Sequence, residues 1–306
     1  MNIIKIFIII NMYVNKLTYS LTKLVNKQMV KYKVLSDHTM VSNSDIFPYV
    51  VAILKKSTYM SAGALIDDNW VLTAADCLFL IGESLRIIRI RVGSINYKKG
   101  GLLLPIKSFN IHPYFDNRKP EFNIALIMLP ERVRFSHNVS PIRVQKYYRG
   151  VTATHFIITA WSGTLESKES TIESMETIKR RRMLTVSHLH PSSTSSCANQ
   201  LATFGINETE TTMCLDPTPD SNPCARDIGA PVVLNGVLWG VISSWKPDGC
   251  DLKPGSSFVT LVGAANVSSW IHATIRGHRW SHYYKDNYTV TNTNNVDYDI
   301  DDENNI

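Results

Sequence analysis

Between Tyr49 and Val262 the apolar residues fall in short runs separated by Gly, Pro, Asn and Asp turns. In the first half the segments 49–54, 62–66, 70–75, 86–92, 102–109 and 124–129 read as strands. In the second half 154–161, 183–188, 211–215, 231–234, 237–245 and 257–262 continue the style. Arg86-Ile87-Ile88-Arg89-Ile90-Arg91-Val92 places Ile88, Ile90 and Val92 on one side and two arginines on the other, the period of a strand with one covered face. Ile124 to Leu129 is apolar throughout and reads as a strand covered on both faces. One segment, 266–275, reads as a helix, with Trp270, Ile271 and Ile275 on one face. Many short strands with turn residues between them predict an all-β fold, a sandwich or a pair of barrels. From Arg276 the chain turns to Asn, Asp, Tyr and Thr. Its apolar residues are too sparse to offset the entropy of ordering, so 276–306 is expected to be a disordered acidic tail.

The two ends modify this picture. Residues 1–20 have Lys5, an apolar run from Ile6 to Ile10, and Thr18 and Ser20 placed for cleavage, the form of a secretory signal. An uncleaved anchor and a first strand are the other readings of this stretch, and the run is too short to span a bilayer. Residues 21–33 then form a short polar pro-segment. Four N-x-S/T sequons, at Asn138, Asn207, Asn266 and Asn287, fit a secreted glycoprotein. The chain has 306 residues, 19% of them charged and 44% hydrophobic, enough to bury a sizeable core. Its net charge of +6 conceals an asymmetry: Asp297-Tyr298-Asp299-Ile300-Asp301-Asp302-Glu303 is strongly acidic, so the rest is more basic than the total suggests. Lys179-Arg180-Arg181-Arg182 is a solvated loop, a polyanion site or a processing site. No metal-ligand spacing, phosphate-binding glycine loop or nucleic-acid module is present, so no cofactor, metal, nucleic acid or membrane partner is expected.

The candidate chemistry centres on Cys224-Ala225-Arg226-Asp227-Ile228-Gly229-Ala230-Pro231. A cysteine and an aspartate precede a small-residue turn, and an apolar strand follows. A turn of this kind presents a hydroxyl to a cleft, but the presented residue is Ile228.

Trp70-Val71-Leu72-Thr73-Ala74-Ala75-Asp76-Cys77 resembles the W-V-L-T-A-A-H-C block of chymotrypsin-like (trypsin-family) serine proteases and differs from it at one position. Asn123-Ile124-Ala125-Leu126 resembles the D-I-A-L block of the same family, and Cys224 to Pro231 resembles C-x-G-D-S-G-G-P. Ser244-Trp245 resembles the strand lining the specificity pocket, and Pro254-Gly255 the turn after it. The blocks come in family order over 34–275. The resemblance implies two six-stranded antiparallel β-barrels, about 34–145 and 146–265, with a C-terminal helix over 266–275 and a cleft between the barrels.

The resemblance also locates the departures. Asp76 stands where the family has its catalytic histidine, Asn123 where it has aspartate and Ile228 where it has the nucleophilic serine. In the family the serine attacks, the histidine moves the proton and the aspartate orients the imidazolium. Isoleucine has no lone pair, a carboxylate of reference pKa near 4 is a weak base at neutral pH, and asparagine carries no charge. Arg226 replaces the glycine of the oxyanion loop. The pocket-floor position holds the neutral Asn222. Lys246 either narrows the pocket mouth, offers a cation to an acidic ligand, or lies along the surface. Asp227 matches the residue that pairs with a new N-terminus. Cleavage at Lys33-Val34 would supply that group, and Arg226 is the alternative partner.

Five cysteines leave one without an internal mate. By resemblance, Cys197 pairs with Cys214 and Cys224 with Cys250. Cys77 matches half of a bridge whose other half falls at Ser61, so Cys77 is either a buried free thiol or the site of an intermolecular bond. The expected protein is a secreted, non-catalytic, insect-like serine protease homologue that binds an extracellular protease, inhibitor or receptor. A matrix or storage protein without a specific ligand, and a residually active endopeptidase, are the alternatives.

Overall fold

The computed structural model describes residues 39–41, 43–79, 81, 85–146, 154–161, 182–206, 210–216, 228–243 and 256–291, with side chains in the last helix as far as His278. The predicted signal, the pro-segment and the Lys33-Val34 bond lie outside these residues.

The first barrel is built from β2 (Val50–Lys55), β3 (Thr58–Leu65), β4 (Trp70–Thr73), β5 (Ile88–Val92), β6 (Leu102–Pro105), β7 (Ser108–Ile111) and β8 (Ala125–Met128). Its strand order is β6-β5-β2-β3-β4-β8-β7. The two edge strands, β6 and β7, are consecutive and separated only by Ile106 and Lys107. The single strand expected over 102–109 is thus bent, pairing with β5 before the bend and with β8 after it. Counted as one, it makes this a six-stranded barrel.

The second barrel contains β10 (Phe156–Ala160), β11 (Thr185–Pro191), β12 (Thr212–Asp216), β13 (Pro231–Leu234), β14 (Val237–Ile242) and β15 (Ser257–Leu261). They run β11-β10-β13-β14-β15-β12, and β11 also pairs with β12, so the ring closes. Two two-residue strands are added to it. β1 (Thr39–Met40) lies on β11, and β9 (Arg143–Val144) pairs in parallel with β14.

The period-two patterns are explained by two cores. In β2, Val51 and Ile53 point into the first barrel beside Ile88, Ile90 and Val92. Val50, Ala52 and Leu54 point the other way, into a cluster shared with Phe156, Val232, Leu238 and Ile271. A strand buried on both faces needs apolar residues at every position, which is why β8 reads Ala-Leu-Ile-Met without a break. The shared core fixes how the two barrels meet.

Three α-helices are described: α1 (Asp76–Phe79), α2 (Thr194–Ala202) and α3 (Ala265–Thr291). The periodic reading missed α2. Ser193 caps it, its Oγ accepting from the Ser196 N–H. Helix α3 corrects the expected end at Ile275, because it runs on through Thr291. Val267 and Ile271 are buried, each contributing roughly 2 kcal/mol by burial. His278 contacts the Trp70 ring at 5.2 Å, one turn beyond the expected end. No proline interrupts 276–291, and once a helix is nucleated each added residue adds a hydrogen bond. The Asn- and Asp-rich composition that predicted disorder is concentrated after this stretch. No helix among the described residues is long and apolar enough to cross a membrane.

Candidate functional site

The site lies where β3, β4, α1 and the start of β8 from the first barrel face β13 and the end of β14 from the second. Strand β4 ends at Thr73, and the chain turns into α1 through Ala75, whose carbonyl accepts from the Leu78 and Phe79 N–H groups at 2.9 Å. Leu78, 1% exposed, pins this turn to the first barrel's core. Asp76 therefore leaves β4 at a fixed position.

Asn123 is placed by a different device. Phe122 has φ +53, and the Ile124 N–H donates back to the Phe122 carbonyl at 2.7 Å. A non-glycine residue in this region costs of order 1–3 kcal/mol and needs support. The support is aromatic: the Phe122 ring stacks on His112 at 4.9 Å and contacts Tyr114 edge-on at 5.5 Å. His112 is itself 3% exposed, packs against Trp270 of α3, and accepts the Tyr114 N–H at Nδ1. Burial lowers its pKa, a hydrogen bond to the Asn266 carbonyl opposing the shift.

The structure brings Asp76 and Asn123 together. Asn123 Oδ1 accepts the Asp76 N–H at 3.0 Å. A backbone N–H can only donate, so this bond fixes which end of the amide is oxygen. Nδ2 then donates to Asp76 Oδ2 at 2.9 Å and to Ser243 Oγ at 2.7 Å. The Asn123 carbonyl accepts from Thr260 Oγ1 at 3.3 Å. Asn123 is fully buried and Ser243 is 4% exposed, so these bonds are made in a low-dielectric environment. The serine in this network is Ser243, whereas the sequence pattern singled out Ser244. Counting along β14 from Gly240 would have identified it.

Ile228 enters through its backbone. Its carbonyl accepts the Ala62 N–H at 2.9 Å, and the next N–H, of Gly229, donates to the Ile242 carbonyl at 2.8 Å. Gly229 has φ +72. A Cβ there would lie 2.3 Å from both the Ala62 carbonyl oxygen and Thr73 Oγ1, so only glycine fits. Thr73 Oγ1 in turn donates to the Ala62 carbonyl at 2.7 Å. Strands β3 and β4 and the Gly229 turn are thus locked together beneath the site.

Cys77 is the free cysteine among the described residues. Its thiol donates to the Ala74 carbonyl at 2.8 Å and lies 3.8 Å from Thr73 Oγ1. Burial pushes its pKa up to about 12, and the neighbouring Asp76 carboxylate adds to the rise. The neighbouring Ser61 and Thr73 hydroxyls oppose it, although Ser61 Oγ is buried without a hydrogen bond of ordinary geometry. A thiol held protonated in this way is a poor nucleophile. Ser61 and Thr73 were not singled out as site residues, although Ser61 occupies the position the resemblance assigned to a second cysteine.

Cys197 and Cys214 form a disulfide joining α2 to β12, with 5.5 Å between their Cα atoms. Asn138 is half-buried, its Nδ2 donating to the Gly93 carbonyl at 3.3 Å and its Oδ1 accepting from Ser136 Oγ. Asn266 is exposed in the first turn of α3. Asn222, Cys224, Arg226, Asp227, Ser244, Trp245, Lys246, Cys250 and Asn207 lie outside the described residues, as does the side chain of Asn287. No three His, Cys, Asp or Glu side chains among the described residues gather as a metal site.

Chemically, the described part of the site offers one carboxylate, Asp76, one amide, Asn123, a protonated thiol, Cys77, and buried hydroxyls at Ser61, Thr73, Ser243 and Thr260, set in a rigid backbone frame.

The frame matches known proteins. The chain is 27% identical to trypsin alpha of Drosophila melanogaster over 232 residues, covering 74% of this chain and 82% of that one. It is 26% identical to hypodermin-A of Hypoderma lineatum over 208 residues, covering 68% of this chain and 75% of the other. Among solved structures, neuropsin, a serine protease expressed in the limbic system of mouse brain, superposes with a TM-score of 0.62 at 21% identity. That overlap covers 77% of this chain and 98% of neuropsin. The family model described as Trypsin matches residues 38–271, and with that span the chain belongs to the trypsin family of serine proteases.

Proposed function

We propose that this chain is a secreted, non-catalytic member of its family that acts by binding an extracellular protein, as a regulator, decoy or cofactor in a proteolytic pathway. The observation that carries the reading is the direction of the hydrogen bonds at Asn123. Its amide donates toward residue 76, where the family's mechanism needs a carboxylate that accepts from an imidazole. Asp76 therefore faces a donor and is held as a carboxylate acceptor, poorly suited to take a proton from a nucleophile at neutral pH. At position 228 an isoleucine carries no group to attack with, and the nearby Ser243 hydroxyl is buried and already accepts from Asn123. The rigid frame beneath these residues supports a role in which the surface is kept for recognition. The Cys197–Cys214 disulfide and the trypsin relatives support an extracellular setting.

The reading is tested on purified protein with a fluorophosphonate probe for activated serines and a panel of peptide substrates. No labelling above a heat-denatured control, and no saturable hydrolysis, is expected. Stoichiometric labelling that follows one serine through mutagenesis would overturn it.

A further inference from the structure

Away from the site, a cleft of about 380 Å³ lies between β9 and the first half of α3. It shares no lining residue with the Asp76–Asn123 network. Its lining is apolar at Ile271 and Ile275 of the helix and basic at Arg143, Lys146 and Arg276, all three exposed. Asp67 is the one carboxylate in the lining. None of the three cations belongs to an ion pair among the described residues. The fold thus gathers three like charges over an apolar surface without neutralising them, an arrangement suited to an anionic partner that also has apolar side chains.

The chain contains a segment of that composition. Asp297-Tyr298-Asp299-Ile300-Asp301-Asp302-Glu303 carries five carboxylates interleaved with a tyrosine and an isoleucine. It follows the helix that forms the cleft wall. From Arg276 to the end of α3 at Thr291 is about 22 Å at 1.5 Å per residue. An extended chain covers that distance in roughly seven residues, which places Asp299 and its successors within reach of the cleft if the chain reverses after the helix. A tether this short holds the segment at millimolar effective concentration, so individually weak exposed pairs suffice.

We propose that this cleft is the docking site of the chain's own acidic segment, Asp297–Glu303, which caps the three cations intramolecularly and keeps them from external polyanions. Lys146 makes this testable, because it is the one amine in the cleft lining. Full-length protein is treated with a zero-length carbodiimide, which joins an amine to a carboxylate only where they touch, and the linked peptides are identified by mass spectrometry. The expected product joins Lys146 to a carboxylate within Asp299–Glu303 on the same chain. Its yield should fall at least fivefold in 1 M salt, where screening extends to about 3 Å, and equally in an Arg143→Glu, Arg276→Glu variant of unchanged thermal midpoint. Three results would overturn the proposal. One is a tail linked to lysines elsewhere but not to Lys146. The second is a yield insensitive to salt and to charge reversal. The third is a Lys146–tail link that, in a mixture of isotopically light and heavy protein, joins two different chains.

Discussion

The Gly229 turn and the Asp76–Asn123 pair meet the same few strands, yet they differ in what they tolerate. At the turn the backbone of β3 and the Thr73 side chain come within 2.3 Å of where a Cβ would stand, and the dihedral angle is one that glycine adopts freely. Nothing larger fits, and the sequence keeps glycine. At the pair, the requirement is only that one partner donate where the other accepts. The family meets it with a histidine donor and an aspartate acceptor. This chain meets it with an asparagine donor and an aspartate acceptor, with the carboxylate now at position 76. The comparison teaches that packing of the backbone and polarity of the side chains are separable constraints. The fold depends on the first, while the second can be inverted as long as both partners change together.

The largest effect should come from breaking the turn. Gly229→Ala is expected to cost about 4 kcal/mol or to prevent folding, read by urea unfolding. Gly205 supplies the control. It has a similar φ of +71 with nothing within 4 Å of the added methyl, so Gly205→Ala should cost only about 1 kcal/mol. Equal costs would mean that the dihedral angle, and not the close approach, is what keeps glycine at 229.

Asn123→Asp should follow, at about 3 kcal/mol at pH 7, because it sets two carboxylates about as close as the present 2.9 Å bond, within a buried network. Each charge raises the other's pKa in the folded state. The penalty is therefore full at high pH and shrinks as pH falls toward 4, where one group is protonated and can donate. Thermal midpoints at pH 4 and pH 7 would show the variant approaching the parent only at the lower value.

Ser61→Cys sharpens the comparison from the side of the frame. The Ser61 hydroxyl lies near enough to the Cys77 thiol to oppose the rise in its pKa, so a cysteine at 61 is expected to form a disulfide in air, removing the thiol detected by a chromogenic reagent and adding about 2 kcal/mol. A persisting free thiol would show that the two Cβ atoms are not oriented for a bridge.

The smallest effect concerns what holds Asn123. His112, between Phe122, Tyr114 and Trp270, has a lowered pKa because of burial. Its stabilising contribution is present above about pH 6.5, the unfolded value, and is lost as pH falls toward the lower folded value. The thermal midpoint should therefore drop between pH 7 and pH 5, and by less in His112→Gln.

Much of this was readable from residue pattern. Alternation in 86–92 located a one-faced strand, the unbroken apolar run at 124–129 a two-faced one, and the Trp70–Cys77 and Asn123–Leu126 blocks placed Asp76 and Asn123 in one site. What was not readable has physical reasons. The bend at Ile106-Lys107 arises from a change of partner strand, which no local pattern encodes. β1 and β9 are two residues long and held by neighbours. Helix α2 has few apolar residues and is anchored by a cap and a disulfide. The extension of α3 was hidden by averaging composition over a tail whose first half has no helix breaker stronger than Gly277. Ser243 was missed because Ser244 sits beside the more conspicuous Trp245, and only the register of β14 separates them.

A double-mutant cycle over Asp76→His and Asn123→Asp tests most directly whether the pair's polarity was inverted as a unit. Asn123→Asp alone leaves acceptor facing acceptor, and Asp76→His alone leaves the Asn123 donor facing an imidazole that can accept only through its unprotonated nitrogen, whereas the double restores a donor at 76 and an acceptor at 123. The account predicts that both singles are destabilised at pH 7 while the double recovers most of the loss, a coupling of about 2 kcal/mol in urea unfolding. Additive losses, with a double no better than the sum of its parts, would contradict it.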